Sequence, residues 1–158
     1  MKTSKVNIGI VENDRKHIAK SLSVLLADTY TLYLKTQNFH WNVTGATFSE
    51  LHLLFEKQYQ DLALATDDIA ESIRALGVPT PATFKEFQKR TTIKESIGVP
   101  KAKEMIQQLI DGQTIILATA RKAFLQAEKA KDAATADLLT KRMNVHEKNA
   151  WMLRSLLD

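Results

Sequence analysis

Residues 38–58 read NFHWNVTGATFSELHLLFEKQ and hold two of the chain's four histidines, His40 and His52, with Glu56 four residues after the second. Eleven residues further on, TDDIAES supplies Asp67 and Glu71, again four apart. Imidazole nitrogens combined with carboxylate oxygens suit iron or manganese better than soft-metal chemistry. On a helix, a step of four puts two side chains on one face. With His52 taken as zero, Glu56 falls at about 40°, Asp67 at about 60° and Glu71 at about 100°, so all four share a face. Asp68, at about 160°, lies off that face and is assigned to solvent. His52 and Asp67 are nonetheless about 22 Å apart along the axis. Metal–ligand bonds are roughly 2 Å long, so no single ion reaches both clusters.

The spacing has a symmetry that resolves this. Positions 52 and 71 share a midpoint with positions 56 and 67. Two copies of the helix packed antiparallel about a two-fold axis near Asp61 and Leu62 would set His52 and Glu56 of one chain against Glu71 and Asp67 of the other. An isologous contact repeats every pairing, so two half-sets become two identical sites. His40, on the preceding helix, can add a further ligand to the His52 cluster. A chance match on an acidic amphipathic helix is the competing explanation, and for His52 alone so is a hydrogen-bonded core histidine.

Four long helices must position these residues. The first is expected over about 13–39, with apolar residues at Ile18, Leu22, Leu25, Leu26, Tyr30 and Tyr33 and an N-cap at Asn13 or Asp14. NVTG breaks it. The second is expected over about 47–76, capped by Thr47 or Ser49 and stopped by Gly77 and Pro79. Its apolar seam runs through Phe48, Phe55, Tyr59, Leu62, Ile69, Ile73 and Leu76, with His52 and Thr66 in the gaps. A long connection follows, holding a short helix capped by Thr83. Pro100 opens a third helix ending near Ala127, and a fourth runs over about 134–157. That pattern predicts an all-α four-helix bundle with a crossover between helices two and three. Trp151 is expected in the bundle core or an interface. His17 and His146 carry no usable signal.

The totals bound the rest. The 158 residues, 44% hydrophobic and 7% aromatic, fit one domain, here residues 13–158 after a flexible tail at 1–12. There is no cysteine, which excludes disulfides, thiolate metal sites and cysteine nucleophiles. No run approaches a membrane span and no signal segment is visible, so a cytoplasmic protein is expected. Net charge is +4, but residues 46–76 carry six acids against two bases, −4, leaving +8 elsewhere. That excess either favours a polyanion by counterion release or is an ordinary solvated surface.

Ferritin-like bundles usually build an iron site within one chain from Glu-x-x-His motifs, and none occurs here. The stretch FHWNVTGATFSELHLLFEKQYQDLALATDDIAESIRALG instead resembles the signature of the Dps family, the mini-ferritins first described as DNA-binding proteins of starved cells. The resemblance runs from about residue 13 onward and includes TADLLTKR and the Trp of NAWMLRSLL. The family pattern maps onto His40, Trp41, His52, Glu56, Asp67 and Glu71. Members more often have Asp where this chain has Glu56.

The resemblance implies a ferritin-like hollow homododecamer with ferroxidase centres at its two-fold interfaces. Fe(II) would be oxidised there to Fe(III) at two iron positions per site, by hydrogen peroxide or dioxygen, and stored as ferric mineral. His40 and His52 would bind iron through neutral imidazoles. Glu71 would bridge to a second iron, with Asp67 and Glu56 as ligands or orienting groups. Trp41 is either a trap for stray oxidising equivalents or interface packing. Iron entry in the family uses acidic three-fold pores, matched here by Asp132 and Asp137, while Lys141 stands where some members have a third acid. Non-specific DNA binding would rest on Lys2, Lys5 and the terminal amine. The alternative function is a nucleoid-compacting, DNA-binding structural assembly with little catalytic role.

Overall fold

Apolar side chains three and four apart force each long segment to coil and bury one stripe. The computed structural model describes residues 6–157 and has five helices: α1 Glu12–Asn42, α2 Phe48–Ala75, α3 Phe84–Arg90, α4 Ala102–Lys129 and α5 Ala133–Arg154. The described residues contain no strand. Short turns at 43–47 and 130–132 make hairpins of α1–α2 and α4–α5. α1 packs on both α2 and α4, and α3 lies against α1. α2 and α5 touch least of the packed pairs. Leu32, Phe39, Phe55, Leu62, Leu109 and Ile116 are fully buried between the layers. Each such side chain stabilises the bundle by roughly 1.5–3 kcal/mol before entropy is counted. α1 and α4 approach closely at Gly112, where an added Cβ would stand 2.5 Å from Leu32 Cδ1 and would have to displace that methyl.

Two polar clamps fix the connections. Asp28, fully buried on α1, accepts hydrogen bonds from Thr92 N (2.6 Å), Thr91 Oγ1 (3.0 Å) and Thr92 Oγ1 (3.1 Å) beyond α3, and from Thr119 Oγ1 on α4 (2.9 Å). One carboxylate thus ties the crossover to two helices. At the end of α2, Gly77 takes φ +84°, and Gly77 N and Val78 N donate to Arg74 O and Ile73 O. This six-residue wrap satisfies carbonyls that the helix leaves open. Arg15 Nη1 closes Leu76 O at 2.7 Å.

Several expectations need correction. The N-cap of α1 is Val11, with no side-chain cap, so Asn13 and Asp14 lie inside the helix. Thr47 is at the cap position of α2 but its side chain makes no capping bond, and Ser49 is helical. Pro100 stands outside α4, whose N-cap is Lys101. Thr83 caps α3 as expected, accepting from Glu86 N. The buried stripe of α2 is Leu51, Phe55, Gln58, Leu62, Ala65, Ile69 and Ile73. It is rotated from the expected seam, so Phe48 is 43% exposed and Gln58 takes a core slot. Trp151 is 60% exposed, which removes it from the bundle core.

Candidate metal centre

α1 ends one turn after Phe39, and the short turn brings α2 back beside it, so His40 and His52 meet. Their rings stack with centroids 3.8 Å apart and planes 20° from parallel. Each Nδ1 is 2.9 Å from the other residue's backbone carbonyl oxygen. A carbonyl only accepts, so each Nδ1 carries the proton and donates. In the neutral ring that arrangement leaves the lone pair on Nε2, the tautomer that a metal ligand requires. Tyr59 sits edge-on to His40 at 5.1 Å and Phe48 lies 5.2 Å from His52, bracketing the pair.

The carboxylates are held differently. Glu56 is half-buried one turn beyond His52, and Asp67 and Glu71 are exposed near the far end of α2. Among the described residues none of the three has a hydrogen-bond or ion-pair partner. The same residues contain no group of three His, Asp or Glu side chains close enough to hold a metal. One chain thus brings two imidazoles together and leaves Asp67 and Glu71 apart from them. Free Asp and Glu oxygens with neutral imidazoles are the right donor chemistry for iron, in an incomplete set.

The other sequence candidates are scattered. Trp41 is 63% exposed beside His40. Asp132 is buried as the N-cap of α5 and accepts from Thr135 N (3.1 Å) and Thr135 Oγ1 (2.6 Å). Asp137 is exposed and pairs with Lys141 Nζ at 2.7 Å, which holds the lysine above its usual pKa. Asp68 is exposed, as assigned. Lys2 and Lys5 lie outside the described residues.

Sequence reasoning missed the fourth histidine. His146 is buried on α5; its Nδ1 faces Gln113 Oε1 at 2.6 Å and its Nε2 faces Arg142 Nη2 at 3.3 Å. Arg142 in turn grips Asp61 through two contacts, at 3.2 and 2.7 Å. Burial, and then the Arg142 charge, push the His146 pKa down to about 3. Both ring nitrogens are committed to the neutral form, so His146 is no ligand.

The bundle is that of a ferritin-like protein. The family profile for the ferritin-like domain matches residues 19–158, and the chain belongs to that family. A solved Dps protein of Vibrio cholerae, described as one of the ferritin-like diiron-carboxylate proteins, superposes with a TM-score of 0.93. It is 32% identical, with 100% of this chain and 99% of that chain covered. The DNA protection during starvation protein 2 of Bacillus anthracis is 35% identical, over 90% of this chain and 98% of that protein. A low temperature-induced protein of Nostoc is 36% identical, over 98% and 87% respectively. Within the ferritin-like family the chain is of the Dps type. No described helix is long and apolar enough to cross a membrane.

Proposed function

We propose that this chain is an iron-storing ferroxidase, with iron(II) as substrate and its active site shared between two copies. The observation that carries the proposal is the mutual Nδ1–carbonyl pairing of His40 and His52, which leaves two Nε2 lone pairs free. A second α2, packed antiparallel, brings Asp67 and Glu71 to these imidazoles, and Glu56 joins from the helix that carries His52. Glu71 spans two iron positions. Each iron(II) gives up one electron, and the pair cleaves the O–O bond of hydrogen peroxide, which leaves as water after taking two protons. Paired delivery avoids releasing hydroxyl radical. Dioxygen is the alternative oxidant.

Twelve chains close a cage that stores the ferric product, in a cytoplasmic setting. Trp41 intercepts escaping oxidant. Entry runs past Asp137; Asp132, committed to its helix cap, shapes the passage more than it attracts iron. A crystal soaked in iron(II), with anomalous scattering at the iron edge, tests the site. Two peaks between His40, His52 and Glu56 of one chain and Asp67 and Glu71 of another are expected. Iron bound elsewhere overturns the assignment.

A second function is favoured by charge: outside residues 46–76 the chain carries +8. Relatives named for DNA protection point the same way. Non-specific DNA binding through Lys2 and Lys5, multiplied over twelve tails, would be steeply salt-dependent. A gel shift across a salt series, with and without residues 1–12, tests it: affinity unchanged by truncation removes the tail from the account.

A further inference from the structure

We propose that the cavity between α1, α4 and residues 92–100 admits a small neutral aldehyde, which condenses with Lys35 Nζ to form an imine. The cavity has a volume of about 630 Å³. Small-molecule sites occupy roughly 300–1,000 Å³, so an aldehyde with a short chain fits. Lys35 lines the cavity and is 8% exposed, the one buried lysine among those described. Its Nζ makes no hydrogen bond or ion pair with the described residues. The unpaired polar atoms sealed inside the protein belong to Gln58, Gln113 and Arg142, so the Lys35 amine keeps open surface. An ammonium group is costly to bury without a partner, and it yields its proton more readily there. Burial lowers the Lys35 pKa below its ordinary value, with the Asp111 and Glu95 charges opposing the shift. A desolvated lysine of this kind serves as a nucleophile toward carbonyl carbon.

The walls select the carbonyl compound. Ile93, Ile97, Val99 and Ile115 offer apolar surface to its chain. Glu95, Glu104 and Asp111 also line the cavity, against Lys94 as the other base. With Lys35 neutral, the surrounding charge is negative and repels anions such as keto acids. A neutral aldehyde with an apolar chain meets both conditions. The amine nitrogen adds to the carbonyl carbon and one N–H proton moves to the oxygen, giving a carbinolamine. The C–O bond then breaks, and water leaves with the second N–H proton. Lys35 lies about 140° around α1 from His40, so the imine forms away from the imidazole pair.

Limiting hexanal with cyanoborohydride, which reduces an imine to a stable secondary amine, tests this on the full-length protein at neutral pH. Peptide mass mapping should find Lys35 alkylated at least about tenfold above the mean of the other lysines, since each unit by which a pKa falls frees about ten times more neutral amine. Glyoxylate, an anionic aldehyde, should show no such preference. Ile115→Trp, which fills the cavity from α4, should remove the preference for Lys35. Should that variant fail to fold, Val99→Trp narrows the cavity from the crossover and must do the same. Labelling is read without iron, so its failure leaves the proposed ferroxidase function untouched. Lys35 labelled no more than the exposed lysines overturns the proposal, as does a preference that survives the cavity variants or extends to glyoxylate.

Discussion

His146 and the His40–His52 pair use the same side chain for opposite ends. In the pair, a backbone carbonyl accepts a hydrogen bond from Nδ1 of each ring, and among the described residues nothing bonds to Nε2. On α5, Gln113 and Arg142 occupy both nitrogens of His146 and the protein seals it from water. A histidine becomes a ligand through what its second nitrogen is spared. Burial alone does not separate the two, since His40 is only 7% exposed.

The comparison breaks most sharply at the pair. His52→Ala should slow iron(II) oxidation by on the order of 10–100-fold or more, measured by stopped-flow absorbance on protein whose assembly is verified by light scattering. His146→Gln should leave that rate unchanged, and a comparable loss there would erase the distinction.

Acid sharpens the comparison from the other side. An unfolded histidine takes up a proton as pH falls through about 6.5, whereas folded His146 resists until about 3. The unfolded state then holds more protons, so stability is full above pH 6.5 and declines through that window. The loss from this residue should be on the order of 2 kcal/mol by pH 5. Urea titrations at pH 7 and pH 5 read it directly, and the increment should vanish in His146→Gln.

Smaller effects test the frame that holds the two regions. Gly112→Ala puts a methyl 2.5 Å from Leu32 Cδ1 and should cost about 1–3 kcal/mol in denaturant unfolding. Leu32→Val should relieve part of that in the double variant, since it removes the colliding carbon. Thr83→Ala deletes the side-chain oxygen that caps Glu86 N and should cost about 1 kcal/mol or less, with iron(II) oxidation untouched.

Much of this was legible in the sequence. The four long helices, the short α3 and its Thr83 cap follow from apolar periodicity and from Gly77 and Pro79. The four-residue steps from His52 to Glu56 and from Asp67 to Glu71 are plain in the sequence, and they pointed to carboxylates and an imidazole along one side of α2. The meeting of His40 and His52 followed from the turn between their helices. What escaped depends on contacts far apart in the chain. Nothing local says that His146 faces Gln113, or that Asp28 gathers threonines from positions 91, 92 and 119. Gln58 escaped because a seam is traced through apolar residues, and the true stripe admits a polar one. Val11 caps α1 without a side-chain oxygen because the open backbone groups at that end can face water, so Asn13 and Asp14 misled.

The central claim is that each ligand set needs an inverted second copy. Co-refolding His52→Ala chains with Asp67→Ala chains tests it most directly. Each variant alone should oxidise iron(II) only at the background rate. Mixed one to one, half the pairs are heterodimers in which one site carries both lesions and the other carries none. The mixture should recover about a quarter of the wild-type rate. A mixture that assembles normally and recovers nothing would contradict the shared site.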